Sequence, residues 1–271
     1  MRYQALAMDL DGTLTNSEKR VSARNIKAIL QAAKNGVHII LASGRCIRGV
    51  EPVAREIGMD KFGGYFLACN GSALIEYPSG QILYEQSIKT EVYGDICQIC
   101  KQFHVSLIAY DALGIFSEDN CSEYVLAEQR NNGIPLEHPE NLCDLLGRLP
   151  RHKMLGVGEP EALDAAREEL RHRLGNRVNV YYADPHFLEI MPPKAEKAFT
   201  LDILMQRLNV PSQALVACGD GLNDILMLDY AGLSAAPANA FDETKRHADV
   251  IVNSNDDDAI ADLIEQYILN K

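Results

Sequence analysis

Two aspartates, Asp9 and Asp11, close the apolar run in "MDLDGTLT" and are followed at once by Gly12 and Thr13. In an extended strand, residues i and i+2 share a face. If the strand over residues 3–8 runs on to residue 11, both carboxylates aim into one small volume. Like charges that close raise each other's pKa unless a cation lies between them. The pair therefore suits a metal ion, acid–base chemistry, or both, with a solvated turn as the competing reading. Gly12 permits a tight exit with positive φ. Three more polar clusters follow apolar runs: "SGR" (Ser43, Gly44, Arg45), "NG" (Asn70, Gly71) and "GDGLND" (Gly219 to Asp224).

The elements that must position these residues alternate. "SARNIKAILQAAKNG" opens on Ser22 as an N-cap, carries Ile26, Ile29, Leu30 and Ala33 on one face and stops at Gly36. "VHIILAS" is a continuous apolar strand, "CIRGVEPVAREIG" a helix and "YFLACNG" a strand; "SALIEYPSGQILYE" is a hairpin around residues 78–80. Between residues 87 and 186 the rhythm loosens into strands ("VSLIAYD", "LGIFSE", "KMLGVG", "VNVYYAD") and helices, including a polar one over residues 123–130 and "EPEALDAAREELRHRLG". From residue 187 strand–helix units return, through "AEKAFTLDILMQRL", "QALVACGD", "NDILMLDYAG", "LSAAP", "DVIVNSN" and "DDDAIADLIEQYIL". The expected fold is α/β: a doubly wound, Rossmann-like, mostly parallel sheet core built from residues 1–86 and 187–271, with an inserted α+β cap over residues 87–186. Ligands of open parallel sheets bind beyond the carboxyl ends of the strands, and all four polar clusters sit at such ends.

"DLDGTLT", "ASGR", a lysine after "EIMPP" and "GDGLND" resemble, in order and spacing, the four motifs of the haloacid dehalogenase-like superfamily. The insertion between the second and third motifs is similar to that of its Cof-type sugar-phosphate phosphatases. "PANA" (237–240), Lys245, Ala248-Asp249 and "NSN" (253–255) match that branch too. The resemblance implies a phosphatase in which Asp9 is the nucleophile that becomes an aspartyl phosphate, and Asp11 the acid and then base. It implies Mg²⁺, held by Asp9, the backbone carbonyl of Asp11 and Asp220, with Asp224 either a ligand, directly or through water, or a group that orients the ligands from behind. Ser43 and the amides around Gly44 would bond phosphoryl oxygens, although Ser43 alone also suits a helix N-cap; Thr13, Asn223, Arg45 and Asn70 are further phosphate or substrate contacts, and Arg45 equally suits a structural ion pair. The motif lysine, which holds the nucleophile and offsets phosphate charge, falls on Lys197 rather than Lys194 by its spacing from the Glu of "EIMPP". Ala198 stands where the family commonly has Gly. The cap would read the leaving group, with Tyr110, Tyr181, Tyr182, Asp184 and His186 as uncommitted candidates.

The expected substrate is a small phosphorylated metabolite, most readily a sugar phosphate. Two alternatives stay open: an intramolecular phosphosugar mutase of the same superfamily, and a catalytically silent phosphometabolite-binding protein. A net charge of −12 over 271 residues speaks against nucleic-acid or anionic-membrane partners. A monomer or weak homodimer is expected. No signal-type segment or apolar stretch of about 18 residues is evident, and the seven cysteines show no framework spacing. Reduced thiols in a cytoplasm are therefore expected. Cys97 and Cys100 form a CxxC, but Val92, Ile96, Ile99, Cys100 and Phe103 fall at helical spacing, so these are expected as core cysteines and not as a zinc or redox site.

Overall fold

The computed structural model describes residues 2–110, 114–146 and 151–269. Chain order opens with β1 (Ala5–Met8), α1 (Ala23–Lys34), β2 (His38–Ala42), α2 (Ile47–Glu56), α3 (Met59–Phe62), β3 (Gly64–Ala68), β4 (Ala73–Tyr77) and β5 (Gln81–Glu85). Then come α4 (Tyr93–Gln102), β6 (Ser106–Tyr110), β7 (Ile115–Phe116), α5 (Glu123–Asn132), β8 (Leu136–Glu137), α6 (Leu142–Leu146), β9 (Met154–Val157), α7 (Pro160–Leu174), β10 (Asn179–Asp184) and β11 (Phe187–Met191). The chain closes with α8 (Lys197–Leu208), β12 (Leu215–Cys218), α9 (Ile225–Tyr230), β13 (Leu233–Pro237), α10 (Asp242–Arg246), β14 (Val250–Val252) and α11 (Ala259–Leu263). Positions 111 and 113, expected in strands, lie outside the described residues. Among the described residues no helix is long and apolar enough to cross a membrane.

Two compact units result. The first comprises Met1–Arg45, Val50–Tyr84 and Glu196–Lys271. Its sheet has the order β14-β13-β12-β1-β2-β3-β4-β5. The run from β14 to β3 is parallel, and β4 is antiparallel to β3. The central strands are buried along their whole length, as a sheet covered on both faces requires. Ala5, Ala7, Ile40, Ala42 and Leu67 pack with Leu201, Leu204 and Met205 of α8 and with Met227 and Leu228 of α9. Helix α1 begins where Ser22 Oγ accepts from Asn25 N at 3.1 Å, and Gly36 beyond its end adopts φ +84°. The strand order β12-β1-β2-β3 sets side by side the loops that leave each of these strands.

The second unit comprises Cys46–Gly49 and Glu85–Ala195. Its sheet, β10-β11-β9-β6-β7-β8, is antiparallel except for the β7–β8 pair. One face, carrying Leu107, Ala109, Met154, Leu188 and Ile190, packs on Ile96, Ile99 and Cys100 of α4 and Leu163, Ala166 and Leu170 of α7. The expected boundary at residue 186 shifts, because Phe187–Met191 is ladder-bonded to β9 and β10 and so belongs to this sheet. The expectation that every thiol is reduced is also corrected. Cys97 of α4 is bonded to Cys143 of α6, with Cα atoms 6.3 Å apart, because the two helices pack together. Cys100 is free and buried in the core.

Candidate active site

β1 ends at Met8. Asp9 still follows the ladder, its N–H donating to Cys218 O at 3.0 Å. Asp11 lies in the turn beyond, so strand alternation does not aim it, and the two aspartates meet different cations. Asp9 Oδ1 accepts from Lys197 Nζ at 2.6 Å, and Asp224 Oδ1 accepts from the same ammonium at 2.6 Å. Asp11 is gripped by Arg45, with Nε to Oδ2 at 2.7 Å and Nη2 to Oδ1 at 2.6 Å, and by Lys19, with Nζ to Oδ1 at 2.8 Å.

Lys197 opens α8 and is 1% exposed. An ammonium this buried is sustained by its partners: desolvation opposes its charge, but Asp224 and Asp9 outweigh it and raise its pKa. The carboxylates remain in excess. Asp9, Asp220 and Asp224 each offer an oxygen, all within 4.8 Å of one another. Burial pushes Asp9 well above the usual carboxylate range; Lys197 opposes the shift, and Asp224 and Asp220 add to it. Burial also pushes Asp220 up to about 6, against the Thr13 hydroxyl and with Asp224 adding. An oxygen-only donor set with more negative charge than its one lysine balances fits a hard divalent cation such as Mg²⁺. Asp11 shows the opposite behaviour. Burial alone would raise it, but the bonds and charges of Arg45 and then Lys19 hold it below the ordinary value.

The turn itself is shaped by close approach. Gly12 has φ +83°, and a Cβ there would lie 2.3 Å from Asp220 Oδ2. Thr13, expected at the phosphate, donates its hydroxyl to Asp220 Oδ1 at 2.6 Å. Ser43 does not cap α2, which begins at Ile47; its Oγ accepts from Arg45 N at 3.0 Å and so folds the "SGR" loop. Asn70 N donates to Ser43 O at 2.9 Å, and Asn223 Nδ2 donates to Asn70 Oδ1 at 3.0 Å. A Cβ on Gly44 would meet Asn70 Oδ1 at 3.2 Å. The loops after β1, β2, β3 and β12 are thus joined by side-chain and backbone bonds. Asp224 Oδ2 accepts from Gly221 N at 2.9 Å, which fixes this carboxylate as part of its own loop. Lys19 was not anticipated. It sits at φ +60° in a polar loop, and only the folding of that loop brings it to Asp11. Asn239 and Asn255, noticed only within "PANA" and "NSN", bond to the turn that follows Asp11.

A doubly wound sheet with its acidic, lysine-braced loops at one edge and a second α+β unit inserted in the chain defines a class of hydrolase. The profile of the haloacid dehalogenase-like hydrolases matches residues 6–264, and the chain belongs to that family. The crystal structure of a haloacid dehalogenase-like hydrolase from Bacteroides thetaiotaomicron is similar, with a TM-score of 0.93 and 34% identity over 97% of this chain and 99% of that one. A 5-amino-6-(5-phospho-D-ribitylamino)uracil phosphatase of Bacillus subtilis is 25% identical over 98% of each chain. An HMP-PP phosphatase of Cronobacter sakazakii is 27% identical over 86% of this chain and 84% of its own.

Proposed function

We propose that this hydrolase is a Mg²⁺-dependent phosphatase of small phosphorylated metabolites, with sugar phosphates the leading class, working through an aspartyl phosphate on Asp9. The observation that carries this reading is the separation of the two motif aspartates. Asp9 shares a buried lysine with Asp224 inside the acidic trio, whereas Asp11 stands outside the trio on Arg45 and Lys19. One carboxylate is held for attack on phosphorus and the other for moving a proton.

Asp9, Asp220 and Asp224 would hold the metal, together with the carbonyl of Asp11. When bound, Mg²⁺ offsets the charge of the phosphate and the carboxylates around it. The Asp9 carboxylate forms a bond to phosphorus as the bond to the leaving oxygen breaks, and that oxygen takes a proton from Asp11. Asp11 then accepts a proton from the water that attacks phosphorus, which restores Asp9. Asp11 is ionised while Arg45 grips both its oxygens, so service as an acid requires it to exchange part of that grip for a proton. A phosphate competes for the guanidinium through the same paired geometry, and the carboxylate it frees takes its proton from solvent or from a phosphate that arrives as the monoanion. Lys197 keeps Asp9 oriented and favours its ionised form, against the burial that raises it. Ser43, the amides near Gly44 and Asn70 would line the phosphoryl group. Since these motif residues all lie in the first unit, discrimination among leaving groups is assigned to the second. The relatives named for a phosphorylated ribitylamino-uracil and for HMP-PP support a phosphorylated small molecule as the substrate class.

The test is phosphate release across sugar phosphates, nucleotides, flavin mononucleotide and pyridoxal phosphate, with Mg²⁺ and with a chelator. Turnover that vanishes with chelator, together with a trapped phosphoenzyme that Asp9→Asn lacks, is the expected result. Isomerisation of a hexose phosphate without free phosphate, or wild-type levels of phosphoenzyme in Asp9→Asn, would overturn it.

A further inference from the structure

Two asparagines outside the four motifs clasp the turn that carries Asp11. Asn239 follows β13, and its Nδ2 donates to Gly12 O at 2.8 Å. Its Oδ1 accepts from Asn255 N at 2.9 Å. Asn255, in the loop after β14, is buried and donates its own Nδ2 to Thr15 O at 2.9 Å. A carboxamide can donate at one end while accepting at the other, and Asn239 uses both ends at once. Ala238 N donates to Asn253 O at 3.3 Å, so the loops after β13 and β14 are also joined through their backbones.

The clasped turn is closed on itself. Thr15 Oγ1 and Thr15 N both donate to Leu10 O, at 2.9 and 2.8 Å, and Asp11 pairs with Thr15 as an isolated bridge. Gly12 O and Thr15 O are the carbonyls this turn presents to the asparagines. Asp9 needs no such support, being seated by the ladder to Cys218 and by Lys197. Asp11 begins where the strand has ended, and its side chain is held by the Arg45 and Lys19 side chains. The backbone under it is the part that the asparagines fix.

We propose that Asn239 and Asn255 are positioning residues for Asp11, acting through the Gly12 and Thr15 carbonyls to hold the turn at the register from which the leaving oxygen is protonated. The proposal rests on the phosphatase reading above and adds to it a role for two residues that touch neither the acidic trio nor the phosphate loop. Its consequence is selective. The ratio kcat/KM covers the steps up to departure of the leaving group, and a leaving oxygen that is already a good anion needs little protonation. Misplacing Asp11 should therefore tell on alkyl phosphates and spare activated aryl phosphates, whereas a general loosening of the fold should tell on both.

The experiment compares wild type with Asn239→Asp and Asn255→Asp, which keep the side-chain shape but replace the donating amide with an oxygen that faces a carbonyl. Glucose 6-phosphate and p-nitrophenyl phosphate serve as probes, with saturating Mg²⁺. We expect kcat/KM on glucose 6-phosphate to fall about tenfold or more, while p-nitrophenyl phosphate stays within about threefold. Equal losses on both substrates, or no loss on either, would overturn the assignment. If the buried Asn255→Asp does not fold, the exposed Asn239→Asp carries the comparison. A wild-type protein that releases no phosphate from either probe would sink the phosphatase reading, and this inference with it. A wild type that turns over both, beside variants with an unchanged ratio, sinks the inference alone.

Discussion

The ammonium of Lys197, at the first position of α8, lies 2.6 Å from Oδ1 of Asp9, more than 180 residues away in the chain. Both groups are withdrawn from water, and breaking a buried pair by removing one partner costs about 3–5 kcal/mol because the other charge is left uncompensated. Lys197→Met should therefore lower the melting temperature in chelator, and saturating Mg²⁺ should recover part of the loss by neutralising the same carboxylates. Phosphoenzyme formation, followed by rapid quench, should fall by about a thousandfold. A variant that melts like wild type in chelator would show that the pair contributes nothing to the fold.

Metal binding should be coupled to protons. With no cation in the trio, Asp220 sits at about 6, above an ordinary aspartate, and Asp9 is shifted the same way. A carboxyl raised in the folded state stabilises it fully below its unfolded pKa, near 4, and that contribution is lost as pH rises through 6. Asp11, lowered by Arg45 and Lys19, acts in the opposite sense: its contribution is present above pH 4 and is lost only as pH falls further. Because Mg²⁺ requires charged carboxylates, its affinity should weaken by about tenfold or more between pH 7 and pH 5. Titration calorimetry at the two values checks this, with protons released on binding at pH 5. An affinity that is flat over this range would contradict the raised Asp220.

Gly12→Ala tests the closeness of the turn to the trio. The substitution asks a Cβ to occupy space 2.3 Å from Asp220 Oδ2, at a φ of +83° that alanine avoids. Either the turn or the carboxylate must move. Mg²⁺ affinity should drop along with kcat, and the melting temperature should fall by several degrees, corresponding to roughly 1–3 kcal/mol of strain. Wild-type Mg²⁺ affinity in Gly12→Ala would show that the turn yields without disturbing Asp220.

The sheet was legible because its strands are apolar along their length and its helices begin and end on ordinary signals, such as Ser22 and Gly36. The rule that ligands gather at the carboxyl edge of a parallel sheet is enough to group Asp9, Ser43, Asn70 and Asp220. Three kinds of information were not local. Strand alternation could not aim Asp11, because the ladder makes its last bond at Asp9 and the Asp11 side chain follows Arg45. Thr13 and Lys19 depend on how a glycine-hinged loop closes, which no periodicity encodes. The Cys97–Cys143 pair spans 46 residues, and the unit boundary near residue 195 depends on β11 joining a sheet formed mostly earlier in the chain. In each case a tertiary partner decided the outcome.

The last prediction concerns the second unit. Lys153 Nζ lies 2.8 Å from Glu189 Oε1, with both side chains almost wholly buried, and the ammonium stands 5.3 Å from the centre of the Tyr110 ring. Tyr110 in turn donates to Glu128 Oε1 at 2.6 Å, and Asn132 Nδ2 donates to the same oxygen at 2.8 Å. Burial, with Glu128 beside it, keeps the Tyr110 hydroxyl far above its ordinary pKa and therefore a donor. A buried ion pair is weak evidence for stability, since matched apolar replacements are often neutral. Glu189→Leu alone should cost about 3–5 kcal/mol, and Lys153→Met combined with Glu189→Leu should regain most of it. If the pair served only the fold, the recovered double variant would keep the wild-type ranking of substrates. A part for this pair in leaving-group recognition predicts otherwise. The ratio of kcat/KM between the best and a poor sugar phosphate should collapse by about tenfold, as expected when a site's polar partners are removed. Activity on p-nitrophenyl phosphate should hold, because the proposed chemistry uses residues of the first unit. A folded double variant with an unchanged ratio would move recognition away from this pair.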